Sequence, residues 1–264
     1  MELLSTYVRA WRESAADVGE LGGQLTDSEW ESPTDCPGWQ ARDVLAHLVD
    51  IEEWLAAEPP PDEARGAAMS EWTQYGVDQR RDVPPATLLA ELATAVDRRA
   101  AQLEAAPPAD LREQHPRTPA ALPWSWETLL RNRAIDMWVH SQDIRRAVGR
   151  SGGYDNAGAM VTTASFGLGL PYVVGKKVQP PAGTAVVWDV DGTHPAQHAV
   201  AMSESGRAVT MPQPPADPDV RLGMDTETFV VLAAGRRGPD DVMVRIEGDP
   251  ELADRVLRAM VLTF

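Results

Sequence analysis

The segment Arg133-Ala-Ile-Asp136-Met-Trp-Val-His140-Ser-Gln-Asp143-Ile-Arg-Arg146 sets a carboxylate and an imidazole four residues apart in a stretch that reads as helix. On a helix that spacing stacks Asp136 and His140 on one face, about 40° apart around the axis. Two donors on one face are half of a metal site. A third donor is His47, which lies on the apolar stripe Val44, Leu48, Ile51, Leu55 of another segment. Two readings stand side by side. In the first, the bundle is metal-free: Asp136 pairs with Arg133 or an arginine of another helix, and the histidines are hydrogen-bonded core residues. That reading answers the several kcal/mol that a buried, unpaired carboxylate costs. In the second, His47, Asp136 and His140 bind a divalent metal, one ligand from one helix and two from another. Two nitrogens and one oxygen suit Zn²⁺ and leave a coordination position open for water or a thiolate.

Asp143, one turn beyond His140, is placed to hold the second ring nitrogen, a common support for a metal-bound histidine. Cys36 lies in the loop Trp30–Trp39 with no base near it in the sequence and reads as structural. His115, His194 and His198 read as loop or strand-surface residues. The chain carries no P-loop, no strand-linked G-x-G-x-x-G and no G-x-S-x-G.

These donors need helices to carry them, and the apolar spacing supplies the helices. Leu4, Val8, Trp11, Ala15, Val18 and Leu21 recur at three- and four-residue steps, the mark of an amphipathic helix. A second helix is predicted from about Gln40 to Glu58, stopped by Pro59-Pro-Pro61. A short one is expected at Met69–Gln79 and a third long one at Pro84–Glu104. A fourth is capped by Ser125 and reaches Val148, with Gly149 as its stop. Four such helices make a bundle.

From about Gly183 the period changes. Thr184–Val190 is β-rich and Asp191-Gly192 marks a hairpin. Ala196–Ser203 and Arg207–Met211 continue a meander, and Val242–Glu247 reads as another strand. Asp225 caps a helix, and Asp249-Pro250 opens a last one with proline at its first position. The expected organisation is α+β in two domains: a helix bundle over 1–150, a linker with a buried helix over 151–182, and a smaller α+β domain over 183–264.

Composition narrows the function classes. The 40 acidic and 24 basic residues give a formal charge of −16, and no Lys/Arg cluster offers a footprint for nucleic acid or an anionic membrane. The single cysteine excludes an intrachain disulfide and fits a reducing compartment. The N-terminus lacks the blocks of a signal peptide. Ala157–Gly175 is uncharged, but its glycines, threonines and Pro171 favour a buried helix ending near Pro171 over a membrane span. A cytoplasmic protein is expected, with no protein partner inferred.

Leu25-Thr-Asp-Ser-Glu-Trp30, followed by Pro33-Thr-Asp-Cys-Pro-Gly-Trp39-Gln-Ala-Arg-Asp43-Val-Leu-Ala-His47-Leu, resembles the N-terminal domain of the mycothiol-dependent maleylpyruvate isomerase family. That domain is one of the DinB-like metal-binding four-helix bundles. Arg133–Gly149 is similar to the family's second metal segment. Thr228–Arg236, with Glu247–Ala253, is similar to its C-terminal domain. The resemblance implies that His47, Asp136 and His140 hold the metal, with Zn²⁺ as the ion. The family's best-known member carries glutamate at the acidic position, so Asp136 is shorter by about 1.5 Å, one bond length. It also implies mycothiol as an external thiol and a small electrophile as substrate, in a cleft between the domains. Isomerisation and S-transfer are both open, as is a binding protein on the same scaffold without turnover. Arg236 is the candidate for contacting a substrate carboxylate, and Arg80 and Arg81 are candidates on the cofactor side. Plain surface roles are the alternative for these arginines.

Overall fold

Four long helices build the N-terminal part of the computed structural model, which describes residues 2–61, 65–66 and 68–263. Helix α1 spans Glu2–Gly22, a short α2 Asp27–Trp30, α3 Ala41–Ala56, α4 Met69–Gln79, α5 Pro85–Ala105 and α6 Trp126–Ala147. Helix α1 packs on α5 and α6, and α3 on α4, α5 and α6, which is the expected bundle of α1, α3, α5 and α6. The caps act where the sequence places them. Ser125 Oγ accepts the Thr128 N–H at 3.2 Å, and α3 stops at Ala56 ahead of the proline run.

Helix α3 has the most enclosed position. Val44 through Glu52 are all buried, so its polar members His47, Asp50 and Glu52 must find partners inside the protein. Asp50 does so against α4: a Cβ at Gly76 would fall 2.1 Å from Asp50 Oδ2, so only glycine permits that approach.

The chain divides into two compact units, Met1–Thr162 and Thr163–Phe264, and the boundary falls inside α7 (Ala157–Tyr172). Helix α7 ends as an α-helix at Tyr172, one residue past Pro171 as expected. The chain continues directly into a π-helical turn, Val173–Val178, which Gln179 closes in the left-handed conformation (φ 51°). Proline removes one helical N–H, and the widened turn beyond it re-pairs the backbone with different carbonyls. Ala157–Val178 is long and apolar enough to cross a bilayer, yet half of it is buried within the protein.

The second unit is a mixed sheet in the order β3-β2-β1-β4-β5, formed by β1 (Ala185–Asp191), β2 (Ala196–Met202), β3 (Ala208–Thr210), β4 (Val220–Asp225) and β5 (Arg245–Gly248). Strands β1 to β3 are the antiparallel meander, turning at Asp191-Gly192. The sequence reading missed β4, which pairs parallel to β1 with Trp188 opposite Leu222. Helices α8 (Thr226–Ala233) and α9 (Pro250–Arg258) pack on this sheet. Asp249 Oδ1 accepts the N–H groups of Glu251 and Leu252 at 2.9 and 3.2 Å, capping a helix that buries Leu252, Val256 and Leu257. Asp249→Ala is expected to lower stability by about 1 kcal/mol, read by urea denaturation.

Candidate metal centre

Helices α3 and α6 bring His47, Asp136 and His140 together. His47 Nε2 lies 3.4 Å from Asp136 Oδ2, and His140 Nε2 lies 3.6 Å from Asp136 Oδ1. The three donor atoms all fall within 4.8 Å of one another. Donors about 2.0–2.1 Å from one ion at tetrahedral angles must stand about 3.3–3.4 Å apart. Each imidazole approaches that spacing to a different oxygen of Asp136, and the trio as a whole falls within 4.8 Å, which makes it a candidate site for a divalent ion. Both imidazoles are buried, while the Asp136 side chain is 30% exposed and forms the open edge of the trio.

The shorter aspartate does reach: its two oxygens span the distance between the imidazoles. Its ion pair with Arg133 is present too, with Nη1 2.8 Å from Oδ2. Arg133 thus shares Oδ2 with His47, while Oδ1 faces His140. Arg133 is itself held by Glu52 Oε1, which accepts its Nε and Nη2 at 2.9 and 2.8 Å.

Electrostatics set the protonation states. Burial pushes the His47 pKa down and outweighs the pull of Asp136, so this ring is neutral. Burial also opposes charge on His140, but Asp136 and Asp143 override it and raise its pKa to about 10. For Asp136, burial favours the acid, yet Arg133, His140 and His47 hold the carboxyl well below its usual range.

Asp143, fully buried, accepts the His140 Nδ1–H at 2.9 Å and leaves Nε2 directed at Asp136. Arg146 binds the other Asp143 oxygen and reaches Asp35 at 2.7 Å. Cys36 corrects the sequence reading. The loop folds back on α6, so that its Sγ lies 3.2 Å from Asp143 Oδ2 and 3.9 Å from His140 Nδ1. With His140 and Asp143 it forms a second group of ligand-type atoms on the far side of the same ring. Trp39, from that loop, packs 5.2 Å from the His47 ring and 6.2 Å from the His140 ring.

The arginines singled out in the sequence have other partners. Arg80 spends its guanidinium on Asp50 (2.5 Å) and Glu53 (2.6 Å), and Arg81 is exposed and paired with Asp78. Arg236 lies in the second unit beyond α8, with Nη1 donating to Ala234 O at 2.9 Å. His115 is not a surface residue: it is buried with its ring 4.0 Å from Trp126, and burial together with Arg99 depresses its pKa to about 4. His194 is partly buried. His198 is half-buried on β2 and stacks on Phe229.

The sequence reading overlooked Glu52, Trp39 and the placement of Cys36. Glu52 had a signal: it sits on the stripe Leu48, Glu52, Leu55, a charge at an apolar position. Trp39 and Cys36 had none, because their contacts with α6 follow from the path of a loop.

Comparison with known proteins bears on this site. Residues 11–145 match a family described as the mycothiol maleylpyruvate isomerase N-terminal domain. Two solved structures share the fold. One is a mycothiol-dependent maleylpyruvate isomerase (17% identity, TM-score 0.56, 92% of each chain). The other is a histidine-to-alanine mutant of such an isomerase (15% identity, TM-score 0.56, 92% of each chain). No curated protein matches the chain.

Proposed function

The chain belongs to the mycothiol maleylpyruvate isomerase N-terminal domain family, and on that premise we propose that it is a metal- and mycothiol-dependent enzyme acting on a small electrophile. The observation that supports this reading is the His47–Asp136–His140 trio: two imidazole nitrogens and a carboxylate converge with the spacing of a three-ligand site. Zn²⁺ bound there with one position open would lower the pKa of a thiol from about 8.5 and supply a thiolate at neutral pH.

The chain's own residues prepare that site. Asp143 fixes the His140 tautomer that exposes Nε2 as a donor. Burial keeps His47 neutral and ready to donate its lone pair. Arg133 occupies one oxygen of Asp136 and orients the other. Trp39 packs beside both rings, and Asp136 is the partly exposed member of the trio. A thiol held there would supply a nucleophilic sulfur for an electrophilic carbon: its addition to a cis double bond followed by its own elimination would give isomerisation, and displacement of another leaving group, or addition without elimination, would give S-transfer.

The completed pairs Arg133–Asp136 and His140–Asp143 favour a rival reading, a metal-free network that only stabilises the bundle. Incubation of Zn²⁺-loaded protein with mycothiol and a panel of electrophiles, maleylpyruvate among them, separates the two. Isomerised substrate or an S-conjugate by mass spectrometry, dependent on both metal and thiol, is the expected result. Metal binding without turnover across the panel would point to a thiol-binding protein, and absence of metal binding to the structural network.

A further inference from the structure

We propose that Glu52 is a positioning residue for the metal centre: it anchors Arg133 so that the guanidinium takes one oxygen of Asp136 and leaves the other to a metal. This inference rests on the metal reading above. Glu52 is fully buried on α3, and its Oε1 collects three donors, Arg133 Nε, Arg133 Nη2 and, from α1, Trp11 Nε1 at 2.9 Å. The remaining nitrogen, Arg133 Nη1, goes to Asp136 Oδ2, which also lies 3.4 Å from His47 Nε2, while Asp136 Oδ1 faces His140 Nε2. Arg133 thus bridges two carboxylates with separate edges of its fork, a geometry a lysine cannot reproduce.

Charge makes the same point. Arg99 of α5 is also buried, donates Nη1 to Leu55 O at 3.3 Å and has no hydrogen-bond partner for Nη2 among the described residues. Glu52 is the acidic group that acts on it, and Glu52 Oε2 likewise has no hydrogen-bond partner. One carboxylate therefore offsets two buried guanidinium groups. Without it, Arg133 would bear on Asp136 alone and compete with any cation for that carboxylate.

Co²⁺ titration of the metal-free protein, read by d–d absorption and by chelator competition, tests this without any assay of turnover. Wild type is expected to bind one Co²⁺. Glu52→Gln keeps the shape but removes the charge; it should bind at least about tenfold more weakly, the scale of one unit charge removed several ångströms from a cation at an effective dielectric of about 20. Glu52→Asp keeps the charge but draws the anchor back, so its affinity should stay within about threefold while its d–d band shifts. A purely structural ion pair would lower thermal stability and leave affinity and band at wild-type values, which overturns the proposal. If Glu52→Gln does not fold, an unshifted band in Glu52→Asp overturns it alone. Failure of wild type to bind Co²⁺ overturns the metal reading itself, and the two failures are therefore distinguishable.

Discussion

His47→Ala is expected to weaken Zn²⁺ binding by at least about a thousandfold, because loss of even the outer partners of a metal-bound histidine costs about 10–100-fold. His47 is the cleanest of the three donors to remove. Burial keeps it neutral, so the substitution strands no charge, and its Nδ1 has no hydrogen-bond partner among the described residues to orphan. Removal of His140 would instead leave Asp143 and Asp136 facing one another with less counter-charge. Competition against a calibrated chelator measures the effect, with circular dichroism to show that the bundle is intact. Unchanged affinity would place the metal elsewhere and disqualify the trio.

Metal affinity should rise about tenfold per pH unit between about pH 6 and 9, then level off near pH 10, because a ligand must lose its proton before it coordinates. The sign follows from the trio. In the metal-free protein His140 is an imidazolium with a pKa of about 10, held between Asp136 and Asp143, whereas His47 and Asp136 carry no proton to displace. One proton therefore leaves per ion bound. Calorimetry in buffers of different ionisation enthalpy counts it, and a flat profile would show that His140 is not a ligand. The same raised pKa acts on folding. Against an unfolded value of about 6.5, the charged His140 contributes stability that is fully present below that pH and lost as pH rises through about 10. Saturating Zn²⁺ should remove this alkaline loss, since coordination replaces the proton.

The acidic position shows how a local departure is resolved by its surroundings. Against the glutamate of the family's best-known member, Asp136 raises the question of whether one fewer methylene still reaches. Packing of α3 on α6 brings His47 within 3.4 Å of one oxygen, and helical pitch puts His140, one turn on, within 3.6 Å of the other. The carboxylate then has Arg133 and His47 at one oxygen and His140 at the other, an arrangement that side-chain length alone does not reveal.

Whatever depends on near neighbours in the chain was legible in the residues themselves. Helices α1, α3, α5 and α6 follow from three- and four-residue apolar spacing. The caps Ser125, Asp225 and Asp249 follow from side-chain oxygens ahead of such runs. Asp136, His140 and Asp143 share a face through helical pitch, and the antiparallel meander follows from short turns. Tertiary structure alone decided the contacts that span the fold. Arg133 meets Glu52 across 81 residues, Cys36 meets Asp143 across 107, and β4 joins β1 in parallel after two intervening strands. Periodicity records which side of an element is apolar. It does not record which buried charge waits on the facing element, and in a low-dielectric interior that pairing sets the protonation states and orientations of His47, Asp136 and His140.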